Sequence, residues 1–178
     1  MLQGEKIILR AVKREDLQRR YEFANDLSFH LLISNDPWEP VPFERLEHQF
    51  DDQMEQSDPG EPSFAIEADG QYIGHCLLYD LNRSARTCQL GIGIGDPAYR
   101  GRGYGRDALR LLLDYAFRIQ HMHKVALTVD ADDQRAIRAY RACGFIEEGR
   151  QRQQAWGNGK YLDLLHMGIL REEWEAGG

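Results

Sequence analysis

The spacing of apolar residues along the chain predicts a mixture of strands and helices. Apolar side chains at Leu17, Tyr21 and Ala24 recur every three or four positions, as they do on one face of a helix. Short runs of β-branched and aliphatic residues, such as 124–129, are typical of strands. The pattern predicts strands over 6–12, 63–68, 71–79, 85–94, 124–129, 147–156 and 160–169, and helices over 16–26, 43–54, 104–119 and 134–143.

Turn-forming residues indicate how these elements connect. Asp69-Gly70 favours a type I′ turn, so the strands on either side of it form a hairpin. Gly157-Asn158-Gly159 predicts a second hairpin near the end of the chain, and Asp58-Pro59-Gly60 predicts a turn after the helix over 43–54. The last residues, 172–178, are expected to form a frayed tail.

The order of the elements predicts the fold class. Three strands in the middle of the chain form an antiparallel meander, and the third of them, 85–94, continues through the helix over 104–119 into strand 124–129. That strand–helix–strand segment is expected to be a right-handed βαβ unit. We therefore expect one domain over 1–178 with a mixed α/β (α+β) fold and a mostly antiparallel, twisted sheet.

Composition narrows the class of protein further. The chain has 178 residues, 42% of them hydrophobic and 29% charged, which is ordinary for a globular domain with its own core. A net charge of −7 argues against a general nucleic-acid partner. We expect no membrane segment and no signal peptide. Three widely spaced cysteines fit a reducing cytoplasm better than a disulfide framework.

The stretch Ile92-Gly-Ile-Gly-Asp-Pro-Ala-Tyr-Arg-Gly-Arg-Gly-Tyr-Gly105 carries the strongest chemical signal. Its glycines let backbone N–H groups approach a ligand closely, and the helix that follows adds a partial positive charge. Arg100 and Arg102 add two guanidinium groups suited to phosphate oxygens. Together these features predict a cradle for a pyrophosphate.

Two other interpretations fit parts of this stretch. Gly103 to Ala108 matches the dinucleotide-binding pattern G-x-G-x-x-[GA], but the segment Asp96-Pro97-Ala98-Tyr99-Arg100 intervenes between the strand and the glycines, and too little chain follows Asp130 for a dinucleotide fold. The stretch would also be explained by an ordinary glycine-rich turn with two solvated arginines.

The chain resembles the GNAT superfamily of acetyl-coenzyme A-dependent N-acetyltransferases. Arg100-x-x-Gly103-x-Gly105 fits that family's [QR]-x-x-G-x-[GA] signature, and the segment from Ala136-Ile137 through Tyr140 to Gly144-Phe145 resembles its A-I-x-x-Y-x-x-x-G-F element. Ile8 to Leu17 also resembles the family's first strand and helix. The resemblance implies a sheet that splays open around the co-substrate acetyl-CoA, and direct acetyl transfer to a primary amine. The ribosomal-protein alanine and spermidine N-acetyltransferases are the most similar branches.

The resemblance implies roles for individual residues. Ile92, Gly93 and Ile94 would offer backbone groups to the pantetheine arm, with Gly91, Gly93 and Gly95 leaving alternate side-chain sites empty beside it. Tyr140 would protonate the leaving thiolate as the catalytic acid. The residues implied in acetyl-CoA binding are Ile92, Gly93, Ile94, Arg100, Gly101, Arg102, Gly103, Tyr104, Gly105, Asp133 and Ala136.

Two positions depart from the family pattern. Gln89 stands where the family often has a glutamate base, and an amide cannot take up a proton at neutral pH. Asp133 stands where an asparagine is common. The general base therefore stays open between water, His75 and a carboxylate of the acceptor loops. A non-catalytic acyl-CoA-binding or sensor domain is the alternative that these departures favour.

The resemblance places the acceptor side of the cleft in residues 27–61. Asp36, Glu39 and Glu44 would attract a cationic amine or form a solvated acidic loop, and Trp38 would be a lid or a core anchor. The expected partner is a small-molecule amine, such as a polyamine, or a peptide N-terminus, and a homodimer stays open. No third ligand accompanies His121 and His123, so we expect no metal site.

Overall fold

A computed structural model describes residues 1–55, 60–157 and 159–177. The chain divides into two compact units, Met1–Leu77 with Ile92–Ala108 and Leu78–Gly91 with Leu109–Gly178. The strands are β1 (Leu2–Gln3), β2 (Ile8–Arg10), β3 (Ser63–Ala68), β4 (Gln71–Asn82), β5 (Thr87–Ile94), β6 (Lys124–Asp130), β7 (Ile146–Gly157) and β8 (Lys160–Leu170). The helices are α1 (Leu17–Ala24), α2 (Leu27–Ile33), α3 (Phe43–Glu55), α4 (Tyr104–Asp114), α5 (Gln134–Arg141) and α6 (Arg171–Gly177).

The first unit is built on an antiparallel meander. β1 pairs with β2, β2 with β3, and β3 with β4. The turn between β3 and β4 has positive φ at both Asp69 (52°) and Gly70 (74°), which a type I′ turn requires. Ile7, Leu9 and Ile66 are almost fully buried in its core. The predicted hairpin is thus confirmed.

Helix α2 is an element that the apolar pattern did not predict. Its N-cap is Asp26, whose carboxylate accepts the N–H of Ser28 at 2.8 Å. Only Phe29 of this helix is buried, while Leu27 and Leu31 are nearly half exposed. Because most apolar residues of this helix are exposed, they do not mark one buried face, and the apolar pattern carries no clear signal for a helix here.

The second unit contains the parallel ladder. β5 pairs with β6 in parallel through Thr87–Lys124, Cys88–Val125 and Gln89–Ala126. This ladder ends at Gln89, although both strands continue for several residues. β8 then pairs antiparallel with β6 on one side and β7 on the other. The hydrogen-bonded order through the eight-stranded sheet is β1-β2-β3-β4-β5-β6-β8-β7.

The predicted fold class is confirmed: the sheet is mostly antiparallel, contains the βαβ unit β5-α4-β6, and its single parallel ladder among the described strands stops at Gln89. The helix after the glycine turn is α-helical only to Asp114 and finishes as a π-helical turn over Tyr115–Ile119. In the described residues, no helix has the length and apolar character needed to cross a membrane.

The prediction of a frayed tail is wrong. Residues Arg171–Gly177 form α6, and the Trp174 ring packs 5.3 Å from the ring of buried Phe117. The Arg171 guanidinium also donates to the Phe117 carbonyl at 2.7 Å. The predicted turn at 58–60 and the tip of the last hairpin at Asn158 fall wholly or partly outside the described residues.

Candidate functional site

The glycine turn lies between β5 and α4 and is ordered by local hydrogen bonds. Asp96 accepts the N–H of Ala98 at 2.8 Å, which starts a 3-10 turn over Pro97–Tyr99. Gly101 and Gly103 then take φ values of 71° and 90°, a region that favours glycine. The chain enters α4 directly afterwards, where the first N–H groups of a helix have no partner within the helix. Backbone N–H groups in such a turn before a helix are able to bind an anion.

The two arginines of the turn are oriented differently. Arg100 donates its Nε to the Ile94 carbonyl at 2.8 Å and its Nη2 to the Gly95 carbonyl, and its guanidinium lies 5.4 Å from the Phe29 ring centroid. Arg102 is exposed and donates Nη1 to the Ala98 carbonyl at 3.1 Å. Arg100 thus ties the turn to the end of β5, while Arg102 stays at the surface.

A further cation at the turn was missed by sequence reasoning. Lys6 Nζ donates to the Arg102 carbonyl at 3.1 Å and lies 3.8 Å from where a Cβ on Gly103 would stand. Lys6 is almost a hundred residues away in sequence, and no motif spacing connects it to the glycines.

Gly93 in β5 and Gly95 directly after it have a different role from the one predicted. A Cβ on Gly93 would lie 2.9 Å from Phe29 Cζ and 3.1 Å from Ile33 Cγ2, and a Cβ on Gly95 would overlap the Phe23 ring. The expectation of empty sites at Gly93 and Gly95 is therefore wrong. The missing side chains make room for aromatic rings of α1 and α2, because these helices pack closely on the strand.

Tyr140 lies on α5 in the second unit. Burial, helped by the nearby charge of Asp133 and by Tyr79, raises the pKa of Tyr140 to about 12, although Arg135 acts in the opposite direction. The ring packs edge-on against Phe145, with the centroids 5.9 Å apart. The phenol therefore keeps its proton at neutral pH and is available as a donor.

Asp133 caps the helix that carries this tyrosine. Its carboxylate accepts the N–H of Ala136 at 2.9 Å, as an N-cap does. Replacing the common asparagine by Asp133 thus preserves the cap. The same bond occupies the backbone N–H of Ala136, one of the groups expected to face acetyl-CoA.

Gln89 takes part in a chain of side chains in the second unit. Its Nε2 donates to Asp80 Oδ2 at 2.9 Å, and Tyr79 donates its hydroxyl to Gln89 Oε1 at 3.3 Å. Asp80 has a φ of 50°, an uncommon conformation for a residue other than glycine. Asp80 brings a carboxylate next to the position where the family's glutamate is absent, and the sequence offered no signal for it.

A cavity of about 340 Å³ opens within the first unit. Its walls are mostly aromatic and aliphatic, with a few polar groups between them. The lining residues are Arg20, Phe23, Ala24, Phe29, His30, Ile33, Pro37, Trp38, Glu39, Val41, Arg45, Leu46, Tyr72 and His75.

Part of the predicted acceptor loop reaches this cavity. Glu39 lines it, whereas the Asp36 carbonyl lies 2.7 Å from His30 Nε2 and Glu44 is exposed on α3. Trp38 is half-buried in the wall, and its indole N–H donates to the Ala24 carbonyl at 3.2 Å.

His75, one of the candidate bases, also faces the cavity. Burial, together with the charge of Arg20, lowers the pKa of His75 to about 4, so the imidazole is neutral at pH 7. Across the described residues, no three His, Cys, Asp or Glu side chains are grouped as metal ligands. The predicted site residues thus form two groups, the glycine turn with residues 92–94 in one unit and Tyr140 with Asp133 and Ala136 in the other.

Comparisons with known proteins agree on one family. The acetyltransferase (GNAT) domain matches residues 6–146. The spermidine N(1)-acetyltransferase of Escherichia coli (strain K12) is 30% identical over 176 residues, which cover 99% of this chain and 92% of the relative. N-alpha-acetyltransferase RimI of Mycobacterium tuberculosis is 33% identical over 150 residues, 84% of each chain. The crystal structure of spermidine N-acetyltransferase from Vibrio cholerae in complex with CoA and spermine has a TM-score of 0.85 and 28% identity, covering 97% of this chain and 99% of that one.

Proposed function

The chain belongs to the GNAT acetyltransferase family, and on that premise we propose that its acceptor is a polyamine. It is an N-acetyltransferase that moves acetyl from acetyl-CoA to a primary amine, as the sequence predicted. The alternatives of a dinucleotide-dependent enzyme and a non-catalytic sensor are therefore set aside.

One observation carries the choice of a polyamine. The Vibrio cholerae enzyme that was crystallised with CoA and spermine matches nearly the full length of this chain, with a TM-score of 0.85. Spermidine N(1)-acetyltransferases also match at 30% identity over 99% of the chain. A likeness that spans the acceptor region as well as the glycine turn supports a shared class of substrate.

The glycine turn is the proposed pyrophosphate site. Backbone N–H groups at Gly101, Gly103 and Gly105, with Arg102 beside them, would bind the phosphate oxygens. Backbone groups of 92–94 would run beside the pantetheine arm. Asp133 and Ala136 are assigned to the same co-substrate through the start of α5.

Tyr140 is the proposed general acid. When the amine nitrogen forms its bond to the acetyl carbon, the carbon–sulfur bond breaks, and the phenol donates its proton to the leaving sulfur. The amine must lose a proton in exchange. Water, His75 and a carboxylate such as Asp80 are the candidate acceptors for that proton.

The cavity of the first unit is the proposed acceptor site. Glu39 supplies a carboxylate for an ammonium group, and Trp38 and Tyr72 supply apolar and aromatic walls for the methylene chain of a polyamine.

A peptide N-terminus is the second candidate acceptor. Arg20 and Arg45 line the same cavity, and guanidinium groups pair with carboxylates rather than with amines. The relative from Mycobacterium tuberculosis, an N-alpha-acetyltransferase, fits this alternative. Two cations beside a single carboxylate would suit an acceptor that carries both signs of charge.

A thiol-release assay with acetyl-CoA decides between the two acceptors. We expect kcat/KM to be higher for spermidine and spermine than for peptides with a free N-terminus. Glu39→Gln should raise the KM for spermidine, whereas Glu44→Gln, on the exposed face of α3, should leave it unchanged. Turnover of peptides alone, with loss of activity in Arg45→Gln, would instead establish the second candidate.

We also propose a cytoplasmic location and a homodimer. The cysteines Cys76, Cys88 and Cys143 are held as thiols, which fits a reducing compartment. Light scattering after size-exclusion chromatography tests the dimer, and a fluorescent fusion tests the location.

A further inference from the structure

We propose that Lys6 binds the pyrophosphate of acetyl-CoA as an additional cation of the glycine turn, and that Asp107 holds it in place. The proposal rests on the proposed function, in which the turn Arg100–Gly105 receives that pyrophosphate.

The ammonium group of Lys6 lies directly over the turn. Its Nζ is 3.1 Å from the Arg102 carbonyl, 3.8 Å from the position of a Cβ on Gly103, and 5.5 Å from the ring centroid of Tyr104. The bond to Arg102 uses one of the three donors of an ammonium group. The other two donors would serve a phosphate bound at the turn.

Asp107 fixes the backbone that carries this lysine. Its Oδ2 accepts the N–H of Lys6 at 2.7 Å and the N–H of Ile7 at 3.2 Å. A Cβ on Gly4 would lie only 2.5 Å from the same oxygen, so the chain before the lysine passes close to the carboxylate. The N-terminal segment is therefore attached to the first turn of α4, the helix that follows the glycines.

The charges around the turn explain why this cation matters. Arg100 directs two of its three nitrogens to carbonyls at the end of β5. The carboxylate of Asp107 would repel a phosphate, but the hydrogen bonds that it accepts from the N–H groups of Lys6 and Ile7 offset part of its charge. Arg102 and Lys6 are exposed and lie at the turn, so they are the cations best placed for the phosphate oxygens.

The test measures binding rather than turnover. Dissociation constants for CoA and for dephospho-CoA, which lacks the 3′-phosphate, are determined by titration calorimetry for the wild type, Lys6→Met and Lys13→Met. Lys13 is an exposed lysine of the same N-terminal region and serves as the matched control. We expect Lys6→Met to weaken CoA binding about tenfold, the loss of one charge-assisted hydrogen bond.

The remaining measurements separate the possible outcomes. An equal loss with dephospho-CoA supports contact with the pyrophosphate, whereas a loss that disappears with dephospho-CoA overturns that assignment. Asp107→Ala should weaken binding less than Lys6→Met, and adding it to Lys6→Met should have no further effect if Asp107 acts through Lys6. Additive losses would overturn the positioning role.

The inference about Lys6 and the proposed function fail in different ways. If wild-type protein binds CoA but Lys6→Met binds it as tightly as Lys13→Met does, the inference about Lys6 is wrong and the proposed function stands. If wild-type protein binds no CoA, the proposed function itself is wrong.

Discussion

Gly93 and Phe29 are packed so closely that the strand has no room for a side chain. A Cβ at Gly93 would lie 2.9 Å from Phe29 Cζ, a distance that real Cβ atoms almost never show. The same phenylalanine ring lies 5.4 Å from the guanidinium of Arg100, which holds the glycine turn to the end of β5. The interior of the first unit is thereby connected to the proposed phosphate site.

Gly93→Ala should therefore affect both stability and co-substrate binding. The added methyl group must displace Phe29, and overpacking of this kind costs about 1–3 kcal/mol of unfolding free energy. We expect weaker CoA binding as well, because Arg100 rests on the displaced ring. Urea unfolding and titration calorimetry measure the two effects.

Gly149→Ala is the matched control, since a Cβ there would meet nothing within 4 Å. Phe29→Leu, which removes the clashing atom, should restore part of the stability lost in Gly93→Ala. If Gly93→Ala were as stable as the control, the close packing against Phe29 would be wrong.

Substitutions of Arg100 and Arg102 should differ in their effects on stability. Arg102→Ala is expected to weaken CoA binding about tenfold without changing the melting temperature, because it removes an exposed cation. Arg100→Ala should also lower the unfolding free energy by about 1–3 kcal/mol, since two carbonyls lose their donors. Equal CoA affinity in Arg102→Ala and the wild type would argue against the cradle.

Tyr140→Phe should lower kcat much more than it changes binding. Loss of a general acid typically costs about 10²-fold or more in rate, while the KM for acetyl-CoA should change little. Because the pKa of Tyr140 is raised to about 12, the phenol stays protonated throughout the usual assay range. Any fall in kcat between pH 8 and 10 should therefore occur at the same pH in Tyr140→Phe.

Tyr161→Phe, an exposed tyrosine on β8, is the control for this substitution. Steady-state rates over a range of pH and acetyl-CoA concentrations provide the measurement. Full activity in Tyr140→Phe would mean that another group protonates the sulfur.

His75 should make the protein less stable in mild acid. Its pKa falls from 6.5 in the unfolded chain to about 4 in the fold, so below pH 6.5 the unfolded state takes up the proton first. The resulting loss of stability grows as the pH falls from 6.5 towards 4 and amounts to about 2 kcal/mol at pH 5. The charged and titratable neighbours in the cavity are Arg20, His30, Glu39 and Arg45.

Urea unfolding at pH 7.5 and pH 5.0 tests this, with His75→Gln as the comparison because carboxylates titrate in both proteins. The wild type should lose more stability between the two pH values than the variant. The same loss in both would show that His75 is not held in its neutral form.

Sequence reasoning located the elements whose signals are local. The turn at Asp69-Gly70 needs two residues that tolerate positive φ, and the turn after β5 needs the same freedom at Gly101 and Gly103. Helix α6 was missed for the opposite reason. Its stability depends on Trp174 meeting Phe117, a contact between residues more than fifty positions apart.

In the candidate site, too, the sequence predicted the local features and missed those that depend on distant residues. The sequence singled out the glycine turn and Tyr140, but the prediction of empty sites at Gly93 and Gly95 was wrong. A glycine in a sequence indicates that a side chain would not fit, but it does not show which group occupies the space. Phe23 and Phe29 fill it here. Lys6 and Asp80 belong to no recognisable motif, because their hydrogen-bond partners lie elsewhere in the chain.

The sequence by itself determined the family, the order of strands and helices from β3 to β8, and the backbone of the glycine turn, because these follow from spacing and from the conformational freedom of glycine. Only the tertiary structure decided which side chains surround that backbone and which charges face it. Packing brings together residues that are distant in sequence, and the spacing of residues along the chain does not predict those contacts.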